Sequence, residues 1–293
     1  MDTIDINEKI NKITINSKIY PHLLRLIKNP PKTLYYQGDF SLCNSLCLAV
    51  VGARKATPYG KWAAYNIARR AAEHGVTIVS GMASGIDSAS HRGALDGNGK
   101  TIAVLGCGID ICYPKNNKEL MKRIKVGGLI LSEYPPGTKP LPFQFPMRNR
   151  IISGLSQVVV IAEAGLNSGS LITAECALDQ GREVYAVPGN INNIYSIGTN
   201  KLIQDGATPL VVVDDILTAL GIDKKKEEVK GRTSLGKDER ELLDLITERG
   251  EVNLDYLCKL TGKTPAQVGA LVTILEIKGN VQTSLGKIFI AKY

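Results

Sequence analysis

Cations and aromatic rings alternate in one short stretch of the chain, between residues 139 and 150. The members of interest are Lys139, Phe143, Phe145, Arg148 and Arg150. Unpaired bases stack on aromatic rings and phosphates pair with Lys and Arg, so this combination suits a single-stranded nucleic acid. In the alternative, one Phe fills the core and the arginines cap carbonyl groups, and the residues alone favour neither interpretation.

Glycine-rich turns form a second set of candidate ligand-binding residues. They lie at 51–56, 80–87, 105–110, 132–140, 163–173 and 187–191. Small residues let backbone N–H groups approach an anion, and a helix that begins in such a turn adds its dipole. These turns predict a phosphate-binding surface with the candidates Gly52, Arg54, Ser80, Gly81, Gly85, Asp87, Gly106, Gly165, Ser168, Gly169 and Ser170.

The turns follow apolar, β-branched runs that alternate with helical patterns. The expected strands are 46–51, 76–80, 101–105, 128–132, 157–162, 183–186 and 210–212, and helices are expected over 60–74, 88–95 and 170–180. Continuous apolar runs suit strands covered on both faces, as in a parallel α/β sheet. Since ligands bind beyond the carboxyl ends of such strands, all six turns are expected at one edge of the sheet.

Two nucleotide-binding motifs are incomplete. Residues 97–101 contain the Gly-Lys-Thr of a phosphate-binding loop, but Ala94 stands where its first glycine is required. The Gly-Cys-Gly after the 101–105 run has Ile111 in place of the third glycine of a dinucleotide fingerprint. ATPase and dehydrogenase functions are therefore disfavoured, and no cofactor is expected.

Asp87 and His91 are spaced as a possible acid–base pair, although an orienting hydrogen bond at a helix start is favoured.

Composition restricts the remaining classes. The 293 residues carry a net charge of +8, which favours a polyanionic partner. The six cysteines form no Cys-x-x-Cys pair and the three histidines are scattered, so no metal site is expected. The cysteines are expected to be reduced thiols. No run is long enough to span a bilayer and the first residues lack a signal-peptide core, so a cytoplasmic protein without membrane association is expected.

Four segments are predicted. Residues 1–44 form a short lead-in with one helix and a Pro-bounded extended piece, 45–222 the α/β domain, 223–237 a charged linker and 238–293 a smaller domain. The last segment shows three helical patterns and two short strands, the plan of a winged helix. Its third helical pattern, 264–277, has no Lys or Arg, so a partner-docking or dimer-stabilising module is favoured over a reader of duplex DNA.

Several linked motifs, in order over about residues 18 to 220, resemble the DNA-processing protein A (DprA, also called Smf) family. They are Val-Gly-Ala-Arg at 51–54, Ser-Gly-Met-Ala-Ser-Gly-Ile-Asp at 80–87 with His91, Leu-Gly-Cys-Gly-Ile-Asp at 105–110 with Tyr-Pro at 113–114, Glu-Tyr-Pro-Pro at 133–136, Phe-Pro-Met-Arg-Asn-Arg at 145–150, Ala-Gly-Leu-Asn-Ser-Gly-Ser at 164–170 and Val-Pro-Gly at 187–189. The tail resembles the C-terminal domain of many members.

The resemblance implies an extended Rossmann-like domain that binds single-stranded DNA without sequence preference, forms a homodimer and is not an enzyme. It also implies a role in loading the RecA recombinase during natural transformation, with single-stranded-DNA-binding protein as a further partner. The implied DNA contacts are Arg54, Lys139, Phe143 or Phe145, Arg148, Asn149 and Arg150. Many members carry a helical domain before this part, for which the lead-in leaves no room.

Two other functions are weighed against binding of single-stranded DNA. The segment 163–175 is distantly similar to the signature of hydrolases of nucleoside monophosphates, with Glu163 or Glu175 as the candidate carboxylate. The second glycine of that signature is missing, since Leu166 follows Gly165. A winged-helix transcription factor would prefer duplex DNA, and the uncharged third helix argues against it.

Overall fold

The computed structural model describes residues 9–222, 235–284 and 286–290. By their contacts the residues divide into two units, 1–222 and 223–293. The predicted linker, 223–237, lies outside the described residues except for 235–237. No helix among the described residues is long and apolar enough to cross a membrane.

The larger unit contains one nine-stranded sheet. Its strands are β1 (Asn11–Thr14), β2 (Thr33–Gly38), β3 (Cys47–Gly52), β4 (Thr77–Ser80), β5 (Thr101–Leu105), β6 (Leu129–Ser132), β7 (Val158–Glu163), β8 (Glu183–Ala186) and β9 (Thr208–Pro209). The spatial order is β1-β2-β6-β5-β4-β3-β7-β8-β9. Strands β3 to β9 pair in parallel, whereas β2 is antiparallel to β1 and to β6. The mixed, mostly parallel α/β fold predicted from the sequence is confirmed.

The order of strands reverses at β3, in the middle of the sheet. The chain runs from β3 outward through β4, β5 and β6, and then returns to place β7 on the other side of β3. The connections after β3 and β7 therefore leave in opposite directions, which opens a crevice at the carboxyl ends of the strands. The predicted turns are brought together at this edge.

Helices cover both faces of the sheet. They are α1 (His22–Arg25), α2 (Pro58–Glu73), α3 (Ile86–Asp96), α4 (Lys118–Gly127), α5 (Gln144–Leu155), α6 (Gly169–Asp179), α7 (Ile197–Gln204) and α8 (Asp215–Ala219). Helices α1, α5 and α6 bury Leu24, Ile151 and Ala174 on one face, and α2 buries Ala64 and Ile67 on the other. Buried sheet residues are apolar on both faces because neither face meets water.

The lead-in is part of the same sheet. Residues 33–38, which follow two prolines, form β2 and pair with β6, and β1 adds a further antiparallel strand. The sequence indicated an extended piece here but not its partner, because strand pairing depends on contacts distant in the chain. At the other end, the expected strand 210–212 is displaced, since β9 lies at 208–209 and Val211 and Val212 are exposed.

The smaller unit has three helices and a three-stranded sheet. They are α9 (Lys237–Arg249), β10 (Glu251–Asn253), α10 (Leu254–Thr261), α11 (Pro265–Ile277), β11 (Val281–Ser284) and β12 (Lys287–Ile290). The sheet order is β10-β12-β11 with antiparallel pairs. Thr264 caps α11 with a capping box to Gln267, and Val268, Val272 and Leu275 fill the core between the helices.

Helices α2 and α3 approach closely at Gly93. A Cβ at this position would overlap the backbone carbonyl of Tyr65. A backbone atom cannot move aside as a flexible side chain can, so we expect Gly93→Ala to lower the unfolding free energy of the larger unit by about 1–3 kcal/mol. Chemical denaturation followed by circular dichroism measures the loss.

The matched control is Gly127→Ala, near the end of α4, where the new Cβ would meet only the side chain of Leu95 at 3.4 Å. This substitution is expected to be neutral or slightly stabilising, because alanine favours a helix over glycine. Equal stability of the two variants would contradict the close approach at Gly93.

Candidate nucleic-acid interface

A cleft of about 650 Å³ opens at the carboxyl ends of the parallel strands. The residues that line it follow β3, β4, β5, β6, β7 and β8 in turn. From the predicted set they are Gly52, Arg54, Asp87, Phe145, Arg148, Asn149, Gly165, Ser168, Gly169 and Ser170. The charged groups on its walls are Arg54, Lys55, Arg148 and Asp87, so positive charge exceeds negative. An anion is the ligand that this balance favours.

Arg148 lies at the base of the cleft, 3% exposed. Its Nη1 donates to the carbonyl oxygen of Gly81 at 2.5 Å and to that of Val104. A Cβ on Gly81 would lie 2.5 Å from the guanidinium, so glycine permits this approach. Burial, and next the charge of Arg54, lowers the pKa of Arg148 to about 10, while Asp87 opposes the shift. The guanidinium therefore remains charged at neutral pH.

Asp87 lies in the first turn of α3 and is also buried. Its Oδ2 accepts hydrogen bonds from the N–H groups of Gly81, at 3.1 Å, and Ala83, at 3.3 Å. Burial raises the pKa of Asp87, whereas the charge of Arg148 and these hydrogen bonds lower it. The carboxylate therefore orders the turn after β4 and offsets part of the buried positive charge.

At the mouth of the cleft, Arg54 packs on an aromatic ring. Its Cζ lies 5.0 Å from the ring centroid of Phe145, within the range of a cation–π contact. Phe145 stacks in turn on Tyr113, with centroids 5.4 Å apart, and covers Gly106, where a Cβ would lie 2.8 Å from the ring. The cation and the two rings thus form one continuous wall.

The turn that carries Arg54 is fixed at both ends by Glu163. The backbone carbonyl of Glu163 accepts from the N–H of Ala53 at 2.7 Å. Its carboxylate accepts from the N–H and the hydroxyl of Thr57, the N-cap of α2, at 2.7 and 2.5 Å. Gly60 leaves space for this carboxylate, because a Cβ there would lie 2.6 Å from it. The buried Glu163 is therefore engaged in a helix cap and does not line the cleft.

The start of α6 forms the opposite wall. Ser168 is the N-cap and its hydroxyl lies 2.8 Å from that of Ser170. The Nδ2 of Asn149 donates to the carbonyl of Gly169 at 3.0 Å, which joins α5 to this turn. Glu175 lies further along α6, exposed and outside the cleft.

Other predicted residues support the cleft from below or lie apart from it. Ser80 is buried and donates to the carbonyl of Val50 at 2.8 Å. Gly85 is the N-cap of α3 at a φ of +79°, with its Cα against the carbonyls of Ala53 and Arg54. Phe143 and Lys139 are exposed but do not line the cleft.

Arg150 is placed away from the predicted site. Its Nη2 pairs with Glu133 at 2.8 Å and it does not line the cleft. Arg148 and Arg150 are two positions apart on a helix and therefore point in different directions. The expected cationic pair is thus divided between a carbonyl-capping residue at the base of the cleft and a salt bridge elsewhere.

Sequence reasoning missed several residues that line the cleft, namely Lys55, Tyr113, Asn167, Thr173, Ile194 and Tyr195. Lys55 directly follows Arg54, and Tyr113 lies in the turn after β5, so position in the turns could have found both. Tyr195 lies in the connection after β8, beyond the turn at 187–191.

The described residues contain no group of His, Cys, Asp or Glu suited to a metal ion, and the six cysteines are free thiols.

This architecture, an α/β sheet with a positively charged cleft at its switch point, matches proteins of known family. A family model for DNA recombination-mediator protein A matches residues 11–221. The DNA processing protein DprA of Bacillus subtilis is 44% identical over 212 residues, 72% of this chain and 71% of the relative. The chain therefore belongs to the DNA recombination-mediator protein A family, whose relatives are named DprA and Smf.

Two solved structures show the same fold. DprA from Streptococcus pneumoniae superimposes with a TM-score of 0.69 at 44% identity, covering 73% of this chain and 75% of that one. DNA processing protein A from Helicobacter pylori, described as having a unique single-stranded DNA binding mode, gives a TM-score of 0.66 at 34% identity, covering 72% and 95%. The family resemblance inferred from the motifs is confirmed.

His91 of α3 supplies a test of the packing beneath the site. It is fully buried, with Nδ1 2.7 Å from the hydroxyl of Thr101. Burial, and next the charge of Arg148, lowers the pKa of His91 to about 3. The unfolded chain, with a His pKa near 6.5, binds more protons than the folded chain between about pH 3 and 6.5. The contribution of this histidine to stability is therefore lost as pH falls through that range.

We expect His91→Asn to remove a pH slope of up to about 1.4 kcal/mol per pH unit between about pH 6 and 4. Denaturant titrations at several pH values measure the slope, which is independent of any uniform loss of stability. The same substitution at exposed His22 is the control. An unchanged slope in His91→Asn would contradict a buried neutral imidazole.

Proposed function

We propose that this protein binds single-stranded DNA without sequence preference in the cleft described above. The observation that carries the proposal is the contact of Arg54 with the ring of Phe145 at the cleft mouth, above the buried charge of Arg148. Phosphates pair with exposed cations, and bases stack on rings irrespective of their identity. Ser168, Ser170 and Thr173 also line the cleft, and hydroxyl contacts to phosphate carry no sequence information.

The proposal extends to a non-catalytic role. Both carboxylates of the hydrolase alternative lie outside the cleft, Glu163 in the cap of α2 and Glu175 on the exposed side of α6. Asp87, the acidic residue on the cleft wall, accepts two backbone N–H bonds. A general base must reach the proton that it abstracts, and Oδ2 of Asp87 is already engaged in ordering the turn after β4.

From the family we infer a cytoplasmic homodimer that protects incoming single-stranded DNA and loads the RecA recombinase in natural transformation and recombination. Single-stranded-DNA-binding protein is a further proposed partner. The membership of the chain in the recombination-mediator family supports these assignments. Binding of DNA is the step that can be tested on the isolated chain.

We propose that the smaller unit is a winged-helix module that docks to protein. Its order of elements, with α10 and α11 followed by the β11–β12 hairpin, supports this proposal. Helix α11 carries no Lys or Arg, and it exposes Ile274 and Ile277. A helix that reads duplex DNA needs cationic and hydrogen-bonding side chains, whereas an exposed apolar face suits a protein partner.

The test is fluorescence anisotropy with one labelled oligonucleotide, first single-stranded and then annealed to its complement, over a range of salt concentrations. Binding of the single strand that weakens steeply with salt, with much weaker binding of the duplex, is the expected result. Equal affinity for the two forms, or no binding of either, would overturn the proposal.

Arg54→Ala is expected to weaken binding of every sequence to the same extent, about fivefold at 0.1 M salt. Loss of one phosphate contact lowers the salt slope by about 0.7 per decade, and one decade separates 0.1 M from 1 M. Anisotropy with homopolymeric and mixed oligonucleotides measures both quantities. Lys28→Ala, which removes an exposed cation that does not line the cleft, is the control and is expected to leave the slope unchanged.

The two rings of the basic stretch are expected to differ. Phe145 lines the cleft and holds Arg54, whereas Phe143, 64% exposed, does not line it. We expect Phe145→Ala to cost about 1–3 kcal/mol of binding free energy and Phe143→Ala less than 0.5 kcal/mol. Titrations of both variants with the same oligonucleotide measure the two losses of binding free energy. A larger loss in Phe143→Ala would assign the base contact to Phe143.

A further inference from the structure

A second groove, of about 330 Å³, lies between α2 and α3 on the outer side of the unit. Lys61 and Tyr65 of α2 line one side of this groove, and Arg92 of α3 lines the other. Ser84 and Asn117 also line the groove. The Nδ2 of Asn117 donates to the carbonyl of Met82 and to the hydroxyl of Ser88, so that the turn at the groove floor is held in place.

The two cations of this groove are exposed and have no carboxylate partner among residues 9–222, 235–284 and 286–290. Other cations on or next to this helix pair are neutralised. Arg69 bonds Glu73 at 2.9 Å, and Arg123 of α4 bonds Asp96 at 2.7 Å. Lys61 and Arg92 therefore leave a local surplus of positive charge facing a concave surface, which is the requirement for binding an anion.

The groove adjoins the cleft. Ala83 lines the cleft, and the next two residues, Ser84 and Gly85, line the groove. Gly85 lies against the backbone carbonyls of Ala53 and Arg54, so one ridge of backbone separates the two depressions. Arg54 therefore stands on the cleft side of a ridge whose other side leads to the groove. Lys61 and Arg92 are the cations that line the depression on that other side.

We propose that the groove between α2 and α3 is a second subsite for the same single strand, in which Lys61 and Arg92 hold the phosphates that have crossed the ridge. This inference rests on the proposed function, since it extends the path of the strand that the cleft binds. A strand long enough to cross the ridge makes two further ionic contacts, and a strand that only fills the cleft makes neither.

Aromatic groups accompany these cations. The ring of Tyr65 lies on the groove wall, with its hydroxyl 3.1 Å from Asp96. Trp62 follows Lys61 on the exposed side of α2, is 52% exposed and stacks on Tyr59 with centroids 6.2 Å apart. Exposed rings beside cations are the surface on which unpaired bases stack. Trp62 is the single tryptophan of the chain, so its emission reports on this surface alone.

The test compares a 4-nucleotide and a 16-nucleotide single strand, about the limits of the site sizes of known single-strand-binding OB folds. In Lys61→Ala/Arg92→Ala we expect the salt slope for the longer strand to fall by about 1.4 per decade. Affinity at 0.1 M salt then falls about 25-fold, since two contacts are lost over one decade below 1 M. Affinity for the shorter strand is expected to stay within twofold of that of the parent.

The control variant is Lys28→Ala/Lys32→Ala, which removes the same charge from two exposed residues that line neither depression. It is expected to bind both strands as the parent does. In the parent, Trp62 emission is expected to change when the longer strand saturates the protein and to stay constant with the shorter one. Circular dichroism of each variant establishes that the fold is retained.

The outcomes separate the two proposals. If the parent binds neither strand, the proposed function fails. If the parent binds both strands but the Lys61→Ala/Arg92→Ala variant keeps the parent's slope for the longer one, only the second subsite is overturned. An equal loss in the control variant would likewise overturn it, because the effect would then come from net charge and not from the groove.

Discussion

The buried guanidinium of Arg148 is the interaction on which the cleft depends. It reaches from α5 beneath the sheet edge to the carbonyls of Gly81 and Val104, at the ends of two adjacent parallel strands. Gly81 directly follows β4 and Val104 is the penultimate residue of β5, and a buried carbonyl without a hydrogen-bond donor is costly. The same contact places a permanent charge under the cleft. One residue therefore closes the edge of the sheet and makes that edge attractive to anions.

This double role has a cost that neighbouring residues reduce. Moving a charge from water to the interior is unfavourable, as the lowered pKa of Arg148 indicates. Asp87 lies near enough to oppose the shift, and it accepts from Gly81, the residue whose carbonyl Arg148 holds. The turn after β4 is thus held from both sides, by a cation at its carbonyl and an anion at its N–H. Glycine at position 81 is required because any side chain would occupy the place of the guanidinium.

The sequence was most informative where chemistry repeats along the chain. Apolar runs ending in glycine predicted the parallel strands and the edge at which Arg54, Gly165 and Ser168 now meet. It was least informative about direction. Arg148 and Arg150 have the same charge and are two positions apart in the motif, yet one lies at the base of the cleft and the other pairs with Glu133. Which side of α5 faces the sheet is decided by packing against residues distant in the chain, which no local pattern specifies.

The same limit explains the lead-in and Glu163. Strand β2 pairs with β6 across more than ninety residues, and its antiparallel direction cannot be read from its own composition. Glu163 stood in a motif that suggested a catalytic carboxylate, whereas its neighbour in space is Thr57, at the start of a helix more than a hundred residues earlier.

The hydrogen bonds from the 53–57 turn to Glu163 order the backbone around Arg54 when the chain folds. Little of the conformational entropy of this loop is therefore left to be lost on binding. The backbone on either side of the arginine is bonded, at Ala53 and at Thr57, before any ligand arrives. Only the side-chain rotamers of Arg54 remain to be fixed, and its stacking on Phe145 restricts these as well. Ordering of this loop therefore belongs to the folding free energy, and association gains from a contact group that is already arranged.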